Sequence, residues 1–236
     1  MKNAGACAEQ LDALLARLSS APDVPPPHGD DPVETLIYSF LLWGSSRTAA
    51  DAAYRALKHG FVDYNELRVS LPYEIALCLR QKDSRSLERC QRLRASLNDL
   101  FRREHVVSLD RVKGMGKRDA RKYIETLEGM VPYVAARVML LCFDIHAIPV
   151  DDALRALLIE EGAADASADI AEVSAYLARH VPAARGRDVH TLLQAWSDRA
   201  SERLAAGTGK EKPVRQRRRP TSSSTRTSRR SKAKQS

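Results

Sequence analysis

Leu127-Glu128-Gly129-Met130-Val131-Pro132-Tyr133-Val134-Ala135-Ala136-Arg137-Val138, continued after a gap by Ile148-Pro149-Val150-Asp151-Asp152, is the stretch that decides the fold. Gly129 allows the tight turn that must separate two helices. Pro132 suits the first turn of the second helix, where no backbone donor is needed. Residues 132–143 are apolar almost all round, the pattern of a central helix buried on every side. The following loop ends at Asp151, a carboxylate placed to cap a third helix over 153–159. Backbone amides at such a turn, and at the helix start behind it, can point outward and bind a phosphate.

Working outward, the apolar spacing is helical on both sides of this stretch. Leu11, Leu14, Leu15 and Leu18 mark a first helix, and Ala21 to Pro27 an extended proline-rich linker. Asp31-Pro32-Val33-Glu34 reads as a helix start, with a cap, a first-turn proline and an acid three residues after the cap. Helices are expected over 48–57, over 84–101 with Arg85, Arg89, Arg92 and Arg94 on its polar side, and from Gly116 to Leu127. Further helices follow around Ile170, Val173 and Leu177, then around Val189, Leu193 and Trp196. No segment alternates with a two-residue period, and no hairpin-turn dipeptide joins candidate strands. The chain is read as all-α. Trp43 and Trp196 fit the apolar stripes of their helices, and neither is assigned a stacking role.

The charge is unevenly placed. Of 38 Lys and Arg against 30 Asp and Glu in 236 residues, residues 204–236 carry 11 basic residues and one acid, leaving −2 for the rest. From Gly207 onward apolar residues nearly vanish, so this tail cannot bury enough surface to offset its ordering entropy and is expected to be disordered. Its charge suits a polyanion, and a solubilising tail is the plain alternative. The expected organisation is an N-terminal helix and linker (1–29), a helical domain (30–203) and the basic tail (204–236). Cys7, Cys78, Cys90 and Cys142 form no C-x-x-C pair, so neither a disulfide framework nor a zinc site follows, and Cys142 is expected to be a buried free thiol. The six histidines show no ligand spacing. With no hydrophobic signal region and no apolar run of bilayer length, the expected location is the cytoplasm, with nucleoid association if the source is bacterial.

The hairpin, loop and aspartate resemble the helix-hairpin-helix motif, Gly/Pro-rich loop and aspartate (HhH-GPD) of the endonuclease III superfamily of DNA glycosylases. That family's hairpin runs approximately L-P-G-V-G-x-K-T-A. Here Tyr133 falls at its lysine and Asp151 at its aspartate, 18 residues apart as in the family. Residues 31–43 resemble the family's early buried helix, 44–46 its DNA-probing loop, and 84–101 the long helix upstream of the hairpin. The better glycines of Val112 to Lys117 are a decoy, because no aspartate lies at the right distance from them. Lys117, Arg118, Arg121 and Lys122 are read there either as phosphate contacts or as an ordinary solvated face.

The resemblance implies a two-lobed helical fold that binds double-stranded DNA, as a monomer, without cofactor or metal. Asp151 is its implied catalytic residue, and Ser45, Lys117, Gly129, Met130, Val131, Pro132 and Tyr133 are its implied DNA contacts. Four departures shape the chemistry. A tyrosine cannot form the imine that the family's lysine forms, which directs the reading to a monofunctional glycosylase. Val131 replaces the second hairpin glycine, and Glu128 adds a charge beside it. The family's four-cysteine iron–sulfur loop is missing, and Ser45 stands where a glutamine often fills the gap left by an extruded base. Asp151 as a mere helix cap stays open beside Asp151 as catalyst. So do two other readings of the whole: a relative that binds DNA without turnover, and a helical interaction module with no nucleic-acid role.

Overall fold

The computed structural model describes residues 4–19, 31–80 and 83–208; the proline-rich linker and the basic tail from residue 209 lie outside the described residues. Every regular element among them is helical: α1 (Ala4–Ser19), α2 (Pro32–Leu42), α3 (Arg47–Gly60), α4 (Tyr64–Val69), α5 (Pro72–Cys78), α6 (Ser84–Glu104), α7 (Asp110–Lys113), α8 (Lys117–Glu125), α9 (Pro132–Cys142), α10 (Asp152–Glu160), α11 (Ile170–His180) and α12 (Gly186–Thr208). No described helix is long and apolar enough to cross a membrane.

Side-chain caps start half of the described α-helices. Asp31 accepts from the Val33 amide with Pro32 at the first helical position, and Ser46, Asp63, Asp83 and Asp169 cap α3, α4, α6 and α11 in the same manner. Asp151 caps α10 through the Leu154 amide.

Two apolar cores define two lobes. The first joins α2, α3, α6, α8 and α9 around Leu36, Phe40, Leu93, Leu97, Ile124 and Val134. The second joins α1, α10, α11 and α12 with Ile148 and Val150 around Leu11, Leu158, Val173, Leu177 and Leu193. The helix preceding the linker therefore shares a core with residues more than 130 positions away. Residues 133–140 of α9 are all buried, and α9 packs on both α2 and α12. It is the central helix, set where the lobes meet.

Two residues of α9 differ from the sequence expectation. Arg137, within the apolar run of α9, is 2% exposed; it donates to Ser39 Oγ at 2.9 Å and lies 5.2 Å over the Tyr38 ring. Burial pulls its guanidinium below the usual arginine range. Cys142 is only partly buried, because the last turn of α9 emerges from the core. All four cysteines are free.

Candidate functional site

Asp151 ends the loop after α9 and looks into a cavity of about 580 Å³ where the lobes face each other. Gly44, Ser45 and Ser46 from the α2–α3 loop line one side, Asp152 and Ala153 continue from Asp151, and Ser197, Ser201 and Glu202 of α12 line another. Arg85 of α6 also lines the cavity and pairs with Asp152 at 3.0 Å. The Asp151 carboxylate is 8% exposed and uses both oxygens. One accepts from the Leu154 amide at 2.9 Å and the other from the Gly44 amide at 3.3 Å. Two N–H donors thus replace much of the water that burial removes. The cap of α10 is also a joint between lobes.

Tyr133 does not line this cavity. It is 3% exposed, and its hydroxyl donates to Gln194 Oε1 at 2.8 Å. Burial raises its pKa above the ordinary tyrosine value; Arg137 opposes this, and the charges of Asp151 and Asp198 reinforce it. The phenol stays protonated. Gln194 in turn donates to Asp198 at 3.1 Å, and Asp198 also accepts from the Arg47 amide at 3.1 Å. Burial holds the Asp198 carboxyl above the usual range despite these donors and the Arg47 charge. His190, buried beside Arg137 and Arg47, is pushed down to about 3, first by desolvation and then by those two cations. A polar seam therefore runs from α9 through α12 to the start of α3 beneath the cavity.

The hairpin turn between α8 and α9 is tied to α6. Gly129 has a φ of +77°, and a β-carbon there would fall 2.6 Å from the Arg92 carbonyl oxygen. The Glu128 amide donates to Asp99 Oδ2 at 2.9 Å, Ser96 Oγ donates to the Glu128 carbonyl at 2.7 Å, and Arg102 pairs with the Glu128 carboxylate. Met130, Val131 and Pro132 line a groove of about 420 Å³ with α11, which Val150 also lines. Val131 precedes α9 in an extended conformation, with no side-chain cap on that helix. The hairpin groove and the Asp151 cavity are accordingly lined by consecutive loop residues, Val150 on one and Asp151 on the other.

Of the sequence-derived candidates, Asp151 and Ser45 share the cavity. Met130, Val131 and Pro132 share the adjoining groove. Gly129 faces α6, and Tyr133 sits in the seam. Lys117 stands apart: its ammonium contacts the Asp144 carbonyl at 2.7 Å and carboxylate at 3.3 Å, in another hollow beside His146 and Arg187. Trp43 is half-buried, with Arg85 and Arg92 at 4.7 and 5.6 Å from its ring.

Sequence reasoning missed Arg89, Gln194 and Asp198. Arg89 was assigned to the polar side of α6, yet it is 6% exposed. The signal was present, since Arg89 follows Ser86 by three residues and precedes Leu93 by four, on the buried stripe of α6. Gln194 and Asp198, four apart on α12, carried no comparable signal. Among the described residues, no group of His, Cys, Asp and Glu is arranged to hold a metal ion.

No family model and no curated protein matches the sequence. Solved structures do match the fold. A trapped endonuclease III–DNA covalent intermediate in an estranged-adenine complex aligns over 79% of this chain and 84% of its own, with 17% identity and a TM-score of 0.60. The Clostridium acetobutylicum 8-oxoguanine glycosylase/lyase, bound to duplex DNA with cytosine opposite 8-oxoG, aligns over 84% of this chain and 70% of its own, with 13% identity and a TM-score of 0.62. A thermostable thymine-DNA glycosylase aligns over 81% and 86%, with 21% identity and a TM-score of 0.56. The two-lobed, all-α architecture of this chain is the HhH-GPD fold that those glycosylases share.

Proposed function

We propose that the chain binds double-stranded DNA and hydrolyses the N-glycosidic bond of a flipped base as a monofunctional glycosylase. The observation that carries this reading is Asp151, a buried carboxylate lining an inter-lobe cavity, 18 residues after a tyrosine in place of the amine. The cavity lies within the roughly 300–1,000 Å³ range of small-molecule sites, which admits a nucleobase. Extrusion carries the base between the lobes and exposes its sugar. As the C1′–N bond lengthens, positive charge develops on the sugar, and the fixed Asp151 carboxylate stabilises it. Water supplies the oxygen that replaces the base at C1′, and the departing base takes up a proton. Tyr133 cannot form an imine, so the strand is left uncut.

Base release from duplexes carrying a panel of lesions, with Asp151→Asn beside the wild type, tests this. Asparagine keeps an oxygen for the cap and removes the charge. The expected loss is on the order of 10²–10³-fold in the single-turnover rate, the usual scale for removing one transition-state electrostatic contact. Borohydride is expected to trap no covalent DNA adduct. Equal rates in the two proteins, or no release from any lesion, would refute the reading.

One observation favours a second reading, a DNA-binding relative without turnover. The hairpin amide of Glu128 is spent on Asp99, and the Glu128 carboxylate faces solvent beside the turn. On that reading affinity without base release is the expected result, carried mainly by residues 207–236.

A further inference from the structure

The Trp43–Gly44 peptide is gripped at both ends. Arg89 Nε donates to the Trp43 carbonyl at 2.8 Å, while the amide of the same peptide group donates to Asp151 Oδ2 at 3.3 Å. In a trans peptide the carbonyl and the N–H point to opposite sides, so the two contacts pull along one line. The guanidinium also reaches the next carbonyl, Gly44 O, through Nη2 at 2.8 Å. Gly44 has a φ of +62°, a left-handed conformation that glycine adopts without strain and that lets one guanidinium meet both carbonyls. Behind Arg89, Nη1 donates to Ser86 Oγ at 3.3 Å, and that hydroxyl donates to Asp83, the cap of α6. A continuous chain of hydrogen bonds thus links the first lobe to the acid of the second.

From this geometry we infer that Arg89 is a positioning residue, acting on Asp151 through the Trp43–Gly44 peptide. Its fork fixes the plane of that peptide and thereby the direction of the N–H that holds Asp151. Three features carry the inference: Arg89 is buried, its two carbonyl contacts are both at 2.8 Å, and none of its donors faces the cavity. A buried arginine is costly unless its fork is used, and here it is used on two backbone carbonyls and the Ser86 hydroxyl. The α2–α3 loop also lines the cavity through Ser45 and Ser46, so the same clamp sets the shape of the wall opposite Asp151.

The kinetic consequence rests on the proposed glycosylase activity, while the structural consequence does not. Arg89→Lys keeps the charge but lacks the rigid planar fork that holds the two carbonyls from separate nitrogens; Arg89→Met removes both charge and donors. With Arg89→Lys the Gly44 amide, followed by hydrogen exchange in the full chain, is expected to exchange about ten-fold faster, the scale of one hydrogen bond to a charged acceptor. Asp151→Asn should accelerate the same amide. The single-turnover rate of base release should fall about 10–100-fold in Arg89→Met, and less in Arg89→Lys, with the DNA dissociation constant within two-fold of wild type. If Arg89→Met does not fold, Arg89→Lys alone decides. Unchanged Gly44 exchange in Arg89→Lys overturns the proposal, and so does DNA affinity falling in step with the rate. A wild type that releases no base refutes the glycosylase reading and leaves the exchange result to judge Arg89.

Discussion

Replacing Gly129 by alanine adds one methyl where the hairpin turn lies closest to α6. Two costs combine. The backbone there is left-handed at φ +77°, a conformation that costs an L-residue roughly 1–2 kcal/mol. The new carbon would also sit 2.6 Å from the Arg92 carbonyl oxygen and 3.0 Å from the Ala95 β-carbon. Because the closest atom is backbone, no rotamer change relieves the overlap, and the turn must lift from α6 at a cost of about 1–3 kcal/mol. The sum, about 2–5 kcal/mol, corresponds to a fall in Tm of roughly 5–15 °C for a chain of this size. Thermal unfolding followed by helix ellipticity measures it. Gly5→Ala is the control: nothing lies within 4 Å of a β-carbon there, and a helix favours alanine, so its Tm should hold or rise. If Gly129→Ala melts within 2 °C of the wild type, the hairpin does not pack on α6 as described.

Two further outcomes follow from other parts of the molecule. His190 is buried and titrates at about 3 against an ordinary 6.5. Its neutral form is the folded one, so it contributes stability that is complete above the unfolded value near 6.5 and is lost as pH falls toward 3, at about 1.4 kcal/mol per pH unit within that window. His190→Gln should flatten that part of the stability–pH profile, and an unchanged slope in chemical denaturation would argue against a neutral buried imidazole. Deleting residues 207–236 removes the whole of the tail's charge excess, so the slope of log affinity for duplex DNA against log salt should become shallower by several units. A slope unchanged by the deletion would assign DNA binding to the helical body.

What was legible in the sequence was local. Asp31 and Pro32 announce α2, the apolar run of 132–143 announces α9, and Asp151 announces α10, because caps, first-turn prolines and periodicity act over a few residues. The short helices α4 and α5, of six and seven residues, escaped notice because fewer than two turns leave no period to read. Long-range pairing was illegible. Nothing near Leu11 says that α1 will pack on α12, and nothing near Lys117 says that Asp144 will take its charge. Asp198 is the instructive case among the candidate-site residues. In sequence it is one acid on an exposed-looking helix end; in the fold it receives the amide that starts α3 and joins the seam under Tyr133. Its role depends on a partner some 150 residues away, which no window of sequence contains.

The hairpin and the acid are held under different physical constraints. At the turn, each sequence departure has a partner within the protein: the Glu128 carboxylate meets Arg102, the Glu128 amide meets Asp99, and Val131 is buried in the first-lobe core. Groups committed to α6 are less free to meet a phosphate, so under the proposed function the turn would grip a nucleic-acid backbone more weakly. Asp151 is differently placed. Capping α10 is worth about 0.5–2 kcal/mol by itself, and the Gly44 amide adds an inter-lobe contact. An aspartate at this position is thus sustained by stability whether or not a sugar ever reaches it. Serine or asparagine would cap as well, but neither would carry a charge into the cavity. What separates catalyst from cap is therefore the charge rather than the hydrogen bonds, and the chemistry must be sought in that difference.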